Sequence, residues 1–372
     1  MKIFIEPNDV LMFRDGKPFS GGDDHYARGA FPPPPSTFYG AIRSKILSEK
    51  YPQYESFKDG NVPEDVKNEI GTPSEHGSLT LNNFLLARRI HGAIQPIFPV
   101  PRDIVKIKGI EEKKLFLLKP DESLNNKINC NFPFASLTPL WLKTESPIEE
   151  VNGFLSLQAM STYLGGNVPN EIVKSEVLYQ KDERVGIKKH RTTKAAEAGA
   201  LYSVEYFRFK EDVGFAVELA GVEKFPPEGL LRLGGDHRSA FYRESLFSLP
   251  DVEMVKNKIK NTGQFKVVFL TPAIFDKGWM PDWIDAESGI GTVNNITLKL
   301  ISAALGKPVH IGGFDLVKKT PKDMKKAVST GSVFYFQLKK GSIDEVFNIF
   351  WLKSISDEKQ NEGFGITIIG GY

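Results

Sequence analysis

Apolar and polar positions along this chain alternate in short runs, broken by glycine and proline, with few stretches at helical spacing. The run Lys2 to Ile5 predicts a strand. A turn-rich segment and the prolines Pro32 to Pro35 follow; proline cannot continue a ladder, so this is a stiff connector. A helix is expected directly after it, with Ser36 as N-cap, because Phe38, Ile42 and Ile46 recur at i, i+4 and i+8. Asn83 to Ile90, Ala93 to Val100 and Lys114 to Leu118 read as strands. Phe154 to Leu164 reads as a helix stopped by Gly165-Gly166, and the polar stretch Glu55 to Gly77 as a mobile insertion. Val173 to Gln180 and Leu201 to Phe209 read as strands flanking a polar segment, which predicts a long hairpin reaching out from the body.

From Asp212 onward the pattern gives a strand at Phe215 to Leu219, a short helix at Glu228 to Leu233, and strands at Ala240 to Phe247, Phe265 to Leu270, Ile296 to Ser302 and Val333 to Leu338. A helix at Ile343 to Leu352 and a last strand at Gly365 to Ile369 close the chain. Strands and helices mix without strict βαβ alternation, which argues for an α+β fold with antiparallel sheets. Two split-βαβ, ferredoxin-like domains account for these elements. The expected division is residues 1–211, with insertions at about 50–78 and a flap at about 180–200, and residues 212–372, ending in a glycine-rich loop.

A length of 372 residues allows two domains with their own cores. The chain is 41% hydrophobic and 25% charged, as in an ordinary soluble protein. No apolar run is long enough for a signal peptide or a membrane span. The one cysteine, Cys130, excludes a disulfide within the chain and argues against a thiolate zinc site, so a reducing, cytoplasmic setting is expected. Lys and Arg number 48 against 46 Asp and Glu, a net charge of +2. A nucleic-acid site must therefore be a local patch.

The densest patch is Lys181 to Lys194. Lys181, Arg184, Lys188, Lys189, Arg191 and Lys194, with His190 beside them, face only Asp182 and Glu183. A basic hairpin tip suits phosphate contacts; the alternative is a solvated loop. Tyr202, Tyr206, Phe207 and Phe209 follow as stacking faces or as core. Glycines recur beside polar or aromatic residues: Gly21-Gly22 before Asp23-Asp24-His25, Gly234-Gly235 before Asp236-His237-Arg238, Gly312-Gly313 before Phe314, and Gly363-Phe364-Gly365. Such loops cradle a phosphate with successive N–H groups, or they are tight turns. At the expected helix start, Ser36, Thr37, Gly40 and Arg43 set small side chains and a cation beside free N–H groups, a further phosphate seat. Were the two units to face each other, these loops would meet at the cleft, with Arg14, Arg43 and Arg238 around a bound phosphodiester chain.

None of the six histidines stands in a metal spacing, and HExxH, P-loop and GxSxG motifs are absent. His25 and His237 each follow an aspartate, the setting a metal-independent ribonuclease would need for a general base on a ribose 2′-OH, but neither has a clear acid or base partner. The expectation is no catalytic residues, no metal ligands and no cofactor. The apolar stretch Thr271 to Trp283 reads either as a partner surface or as a loop pinned by its own tryptophans.

In order along the chain, Pro7-Asn8-Asp9, Phe13-Arg14-Asp15-Gly16-Lys17-Pro18-Phe19, Pro35-Ser36-Thr37-Phe38-Tyr39-Gly40-Ala41-Ile42-Arg43, Leu233 to Arg238, Thr271-Pro272-Ala273, Gly331-Ser332-Val333 and Gly363-Phe364-Gly365 form a set. That set resembles the third subunit of the Cmr module of type III-B CRISPR effectors, in the RAMP superfamily. The resemblance implies two ferredoxin-like, RAMP/RRM-like folds and a non-catalytic subunit of a cytoplasmic antiviral ribonucleoprotein. It implies binding of the 5′ repeat-derived tag of the CRISPR guide RNA, docking to the large polymerase/cyclase-like subunit and to the backbone RAMP subunit, and no membrane association. Two other readings stand beside it: a RAMP-type endoribonuclease cutting repeat RNA through His25 or His237, and a protein–protein scaffold whose glycine loops are only turns.

Overall fold

The fold is that of a computed structural model, which describes residues 1–14, 26–51, 54–110, 114–125, 127, 137–190, 192–193, 195–315 and 319–372, without side-chain detail at 54, 55, 188 and 196–200. The first strand, β1 (Lys2–Pro7), buries Ile3 and Ile5 on one face and Phe4 on the other. It is followed by α1 (Pro35–Lys50), α2 (Glu64–Ile70), β2 (Thr80–Ile90), β3 (Ala93–Pro99), the short β4 (Phe154–Leu155) and α3 (Leu157–Leu164), which Ser156 caps by accepting from the Ala159 amide at 3.2 Å. A long ribbon comes next, β5 (Tyr179–Lys189) and β6 (Ala196–Phe209). Then come β7 (Val213–Ala220), β8 (Glu228–Arg232) and β9 (Ser239–Glu244). These build a seven-stranded sheet in the order β4-β3-β2-β7-β1-β9-β8.

The second sheet follows α4 (Val252–Ile259). Its strands are β10 (Gln264–Phe269), β11 (Ile290–Val293) and β12 (Ile296–Ala304). After a second, shorter ribbon made of β13 (Val309–Ile311), β14 (Phe314–Asp315), β15 (Thr320–Pro321) and β16 (Lys325–Ala327), they continue with β17 (Val333–Lys340) and, beyond α5 (Ile343–Phe350), with β18 (Thr367–Gly370). Their order is β11-β12-β17-β10-β18. The central four strands of both sheets run in the same order: β2-β7-β1-β9 in the first, β12-β17-β10-β18 in the second. Each neighbouring pair is antiparallel. The result is a strand-rich α+β fold with few helices, as the mixed pattern predicts.

Three expectations need correction. The division at residue 212 cuts the first sheet: β7 and β9 flank β1 on its two edges, pairing Phe4 with Ala216 and with Arg243. Residues 213–244 thus complete the first sheet, a long-range pairing that hydrophobic spacing does not encode. Glu228 to Leu233 is edge strand β8, not a helix, with Leu231 buried and Leu230 exposed on opposite faces. Glu55 to Gly77 packs on α1 through α2, whose Val66 and Ile70 are buried, while Glu69 pairs with Lys50 and accepts from the Glu223 amide at 3.0 Å.

Thr271 to Trp283 is the pinned loop. It lies between β10 and β11. Trp279 meets Phe334 edge-on at 5.7 Å between ring centres, and Trp283 lies 6.0 Å from Phe336. One apolar core joins α3 and the end of β3 to the second sheet, with Phe98, Tyr163 and Leu164 against Val267, Phe334 and Ile368. Inside it sits a polar cluster. Asp103, fully buried, accepts from the Tyr163 hydroxyl on both oxygens at 2.8 Å and from the Tyr335 hydroxyl at 2.5 Å. Lys266 of β10, 1% exposed, places Nζ 3.8 Å from Asp103 and 3.4 Å from the Tyr163 ring centre. Among the described residues, no helix is long and apolar enough to cross a membrane.

Candidate nucleic-acid interface

The predicted hairpin forms. β5 and β6 pair from Tyr179↔Phe209 to Ile187↔Leu201, with an irregularity before Lys189↔Ala196. Its root is anchored by rings, Tyr179, Phe207 and Phe209 packing around Phe31 at 4.0 to 6.1 Å. Phe207 and Tyr206 are therefore core rather than free stacking faces. Toward the tip one face of the ribbon is open, with Val185 66% and Leu201 56% exposed.

Charge is distributed unevenly along it. Near the root, Lys181 pairs with Glu205 at 3.0 Å, and Arg184 and Arg208 both hold Asp182, at 3.2 and 2.6 Å. Hydrogen bonds from these two arginines hold the Asp182 carboxyl below its usual range. Lys189 and His190 stand exposed at the tip, the His190 ring accepting from the Thr193 amide at 3.4 Å. The Lys188 side chain, Arg191 and Lys194 lie outside the described residues, as do Gly21, Gly22 and His25.

Beside the root lies the Gly234 to Arg238 turn. Gly234 adopts φ 78°, and a Cβ there would meet the Met12 carbonyl oxygen at 2.4 Å, so this glycine is required by a backbone crossing. The Gly235 amide donates to that same carbonyl at 2.8 Å. Asp236 and His237 are both left-handed, at φ 57° and 51°, a conformation costing non-glycine residues roughly 1 kcal/mol or more each. The turn aims His237 at solvent while Arg238 is held by Asp9 at 3.2 Å and Asp236 at 3.0 Å. Arg184 and Arg238 flank the Tyr206 ring at 5.1 and 5.0 Å. Arg184, Arg208 and Arg238 thus pair with Asp9, Asp182 and Asp236 in one surface network. Arg14 bridges to Gly29 on the neighbouring strand segment.

α1 begins at Pro35, with Pro34 as a cap lacking a side-chain hydrogen bond, so Ser36 sits in the first turn instead of capping it, and the Thr37 amide donates to Pro34 at 3.0 Å. Phe38, Ile42 and Ile46 are buried as expected. Arg43 is committed elsewhere: its Nε donates to the Ile70 carbonyl at 2.7 Å and its Nη2 to that of Thr72, closing the C-terminal end of α2, and burial lowers its pKa. Gly40 is open, with no atom within 4 Å of a Cβ placed there. Gly40→Ala is therefore expected to raise stability by about 1 kcal/mol, the helix-propensity difference, read as a higher Tm. An accompanying loss of RNA affinity would mark Gly40 as a point of close RNA approach.

The terminal glycine loop does not present free donors. The amides of Gly363, Phe364 and Gly365 donate to Gln360 at 3.0 Å, Lys359 at 3.4 Å and Pro272 at 2.7 Å, and Ile366 donates to Thr271 Oγ1 at 2.9 Å. Phe364 is fully buried. These residues are structural, correcting their assignment to RNA. The loop does meet α1 where the units abut: a Gly363 Cβ would stand 3.1 Å from Leu81 and 3.4 Å from Pro35. Sequence spacing gives no sign of the cluster beside it. His76 Nδ1 lies 3.2 Å from the Tyr39 hydroxyl and its Nε2 3.9 Å from buried Glu362, which Lys359 holds at 3.1 Å. Burial, chiefly, keeps the His76 pKa below its usual value. Among the described residues no group of His, Cys, Asp and Glu is arranged to hold a metal ion.

The profile of the family described as CRISPR-associated protein (Cas_Cmr3) matches residues 3–371. No curated protein matches the chain. Among solved structures, a chain of the type III-B Cmr-beta complex bound to cognate target RNA is 16% identical, with a TM-score of 0.52 over 90% of this chain and 86% of that one. The same complex bound to cognate target RNA and AMPPnP gives 16% identity and a TM-score of 0.50 over the same shares. These likenesses show a common fold.

Proposed function

Because the chain belongs to the Cas_Cmr3 family, and is thus a Cmr-type subunit of a type III-B CRISPR effector, we propose that it is a non-catalytic, guide-RNA-binding structural subunit. In this reading it holds the 5′ repeat-derived tag and bridges the large polymerase/cyclase-like subunit to the backbone RAMP subunit. The observation that carries the reading is the protruding ribbon of β5 and β6. Its root is electrically neutralised, while Lys189 and His190 stand exposed toward the tip and form no ion pair with a described residue, which is where an extended RNA backbone gains from charge. We read the two sheets as two ferredoxin-like units, on the strength of their shared strand order and antiparallel pairing.

Lys188, Lys189 and Arg191→Ala is expected to weaken binding of guide RNA and to flatten its salt dependence, by about 0.7 in slope for each phosphate that is no longer neutralised. A fluorescence titration across salt concentrations measures this; an unchanged slope would refute the reading. Labelled repeat RNA incubated with the purified chain in chelator should stay intact. Cleavage that is abolished by His25→Ala or His237→Ala would instead establish a ribonuclease. Co-purification of the large and backbone subunits with the chain tests the bridge.

A further inference from the structure

The second ribbon occupies the same topological place as the first. β5 and β6 lie in the chain between β2 and β7, and the ribbon of β13 to β16 lies between β12 and β17. In each sheet these are the second and third of the four central strands in chain order. The second ribbon also carries its own concentration of charge: Lys319, Lys322, Lys325 and Lys326 against Asp315 and Asp323. From these two facts and the side-chain geometry below, we infer that the ribbon, through its described residues 309–315 and 319–327, is a second contact surface for single-stranded RNA, built on the same plan as the first. The inference rests on the RNA-binding reading above and extends it to a surface in the other unit.

The geometry separates root from tip as in the first ribbon. Val309↔Ala327 and Ile311↔Lys325 pair at the root, and Phe314↔Pro321 pair further out. Ile311 and Ala327 are buried against Ile274 and Phe364, so the terminal glycine loop serves as the footing of this ribbon. Lys326 at the root and Lys319 and Lys322 beyond it are exposed and form no ion pair with a described residue, whereas Lys325 is taken by Glu358 at 2.8 Å. Phe314 is 54% exposed. The Lys322 amide donates to the Gly313 carbonyl at 2.9 Å, which sets the lysine's strand against the one bearing the ring. A flat ring among unpaired lysines is the combination that holds a base by stacking and its phosphates by charge. A protein partner fits less well, because lysine is depleted where proteins pack against one another. The tip also lies near the seam between the units, since Lys322 is among the cations that act on His76, after burial.

The test is a titration of the purified chain with a fluorescently labelled single-stranded RNA, from low to physiological salt, for five proteins, one of them the first-ribbon variant Lys188, Lys189 and Arg191→Ala. Wild type sets the slope. Lys319, Lys322 and Lys326→Ala should lower the slope by about 2, at about 0.7 per phosphate released, while the same positions changed to Arg keep it. Phe314→Ala should weaken binding several-fold with the slope unchanged, because stacking releases no counterions. If the wild type fails to bind RNA, the functional reading falls and this proposal with it. If the wild type binds, the first-ribbon variant loses slope and the second-ribbon variant does not, this proposal alone is overturned. A second-ribbon variant that keeps its RNA slope but no longer co-purifies with the large or backbone subunit overturns it in favour of a protein contact. Thermal melting accompanies each variant, and if the triple variant melts early, single Lys→Gln changes replace it, each expected to remove about 0.7 of slope.

Discussion

Asp103→Ala is expected to destabilise the protein by about 3–5 kcal/mol, the cost of leaving one partner of a buried ion pair without the other, and so to lower Tm by roughly 10 °C. The cause is local. Lys266 cannot reach water, and Tyr163 and Tyr335 would lose their acceptor in the same change. Replacing both charges, as Asp103→Asn with Lys266→Met, should cost much less, since a neutral amide still accepts from the tyrosines and the methionine fills the ammonium's channel. A double variant as unstable as Asp103→Ala would show that packing, not charge, dominates the cluster. The pH dependence gives an independent check. Burial lowers the Lys266 pKa to about 8, from the ordinary lysine value of 10.5. Between those values the unfolded chain binds the extra proton, so stability rises with pH across that window. Above pH 10 the opposite contribution of Tyr163 and Tyr335 enters, because both have raised pKa values and the unfolded tyrosines ionise first. Wild type should therefore gain stability relative to Lys266→Met from pH 8 to 10, as followed by thermal melting in matched buffers.

Gly365→Ala is the second large effect. Gly365 sits at φ 66°, and a Cβ there would stand 2.6 Å from the Ser356 amide nitrogen. Left-handed backbone costs a non-glycine residue about 1–2 kcal/mol, and forcing atoms into a packed site about 1–3 more. The expected loss is about 2–5 kcal/mol, with Gly365→Asp at least as severe. Both variants should shed RNA only to the degree that they unfold, seen by comparing melting with RNA retention. Normal melting together with impaired retention would return this loop to the RNA site. Gly40→Ala, at an open helical position, is the internal contrast: the same added methyl, with the opposite sign.

Much of this arrangement is readable from residue order. The stripe of Phe38, Ile42 and Ile46 places α1, and the basic segment between two apolar runs places the first ribbon. Strand spacing locates β10, β12 and β17 within a few residues. Partners across the fold are not readable. Nothing local tells that β1 is paired by residues 213–220 and 239–244, and this is why the unit boundary read from composition falls too early. Helix α4 is hard to see in the sequence although Asp251 caps it, accepting from the Glu253 amide at 2.9 Å, because its apolar face is short, with Val255 and Ile259 buried and Val252 packed beside them. Glycine-rich runs look alike whether their amides are free or consumed. Arg43 looks like a phosphate ligand until the carbonyls of Ile70 and Thr72 come within its reach. The second ribbon is inconspicuous because its lysines are interrupted by Pro321 and Asp323.

The placement of β1 also bears on how the chain emerges during synthesis. Its two ladder partners are made more than two hundred residues later, so its edges stay unpaired while most of the protein is still being assembled. Asp103 and Tyr163 must likewise wait for Lys266 and Tyr335. Loop closure over such separations is slow, and unpaired apolar strands are where growing chains associate wrongly. Yield in a heterologous host should then depend on elongation rate and chaperone supply more than on the stability of the finished fold, and slower synthesis at low temperature should favour soluble product.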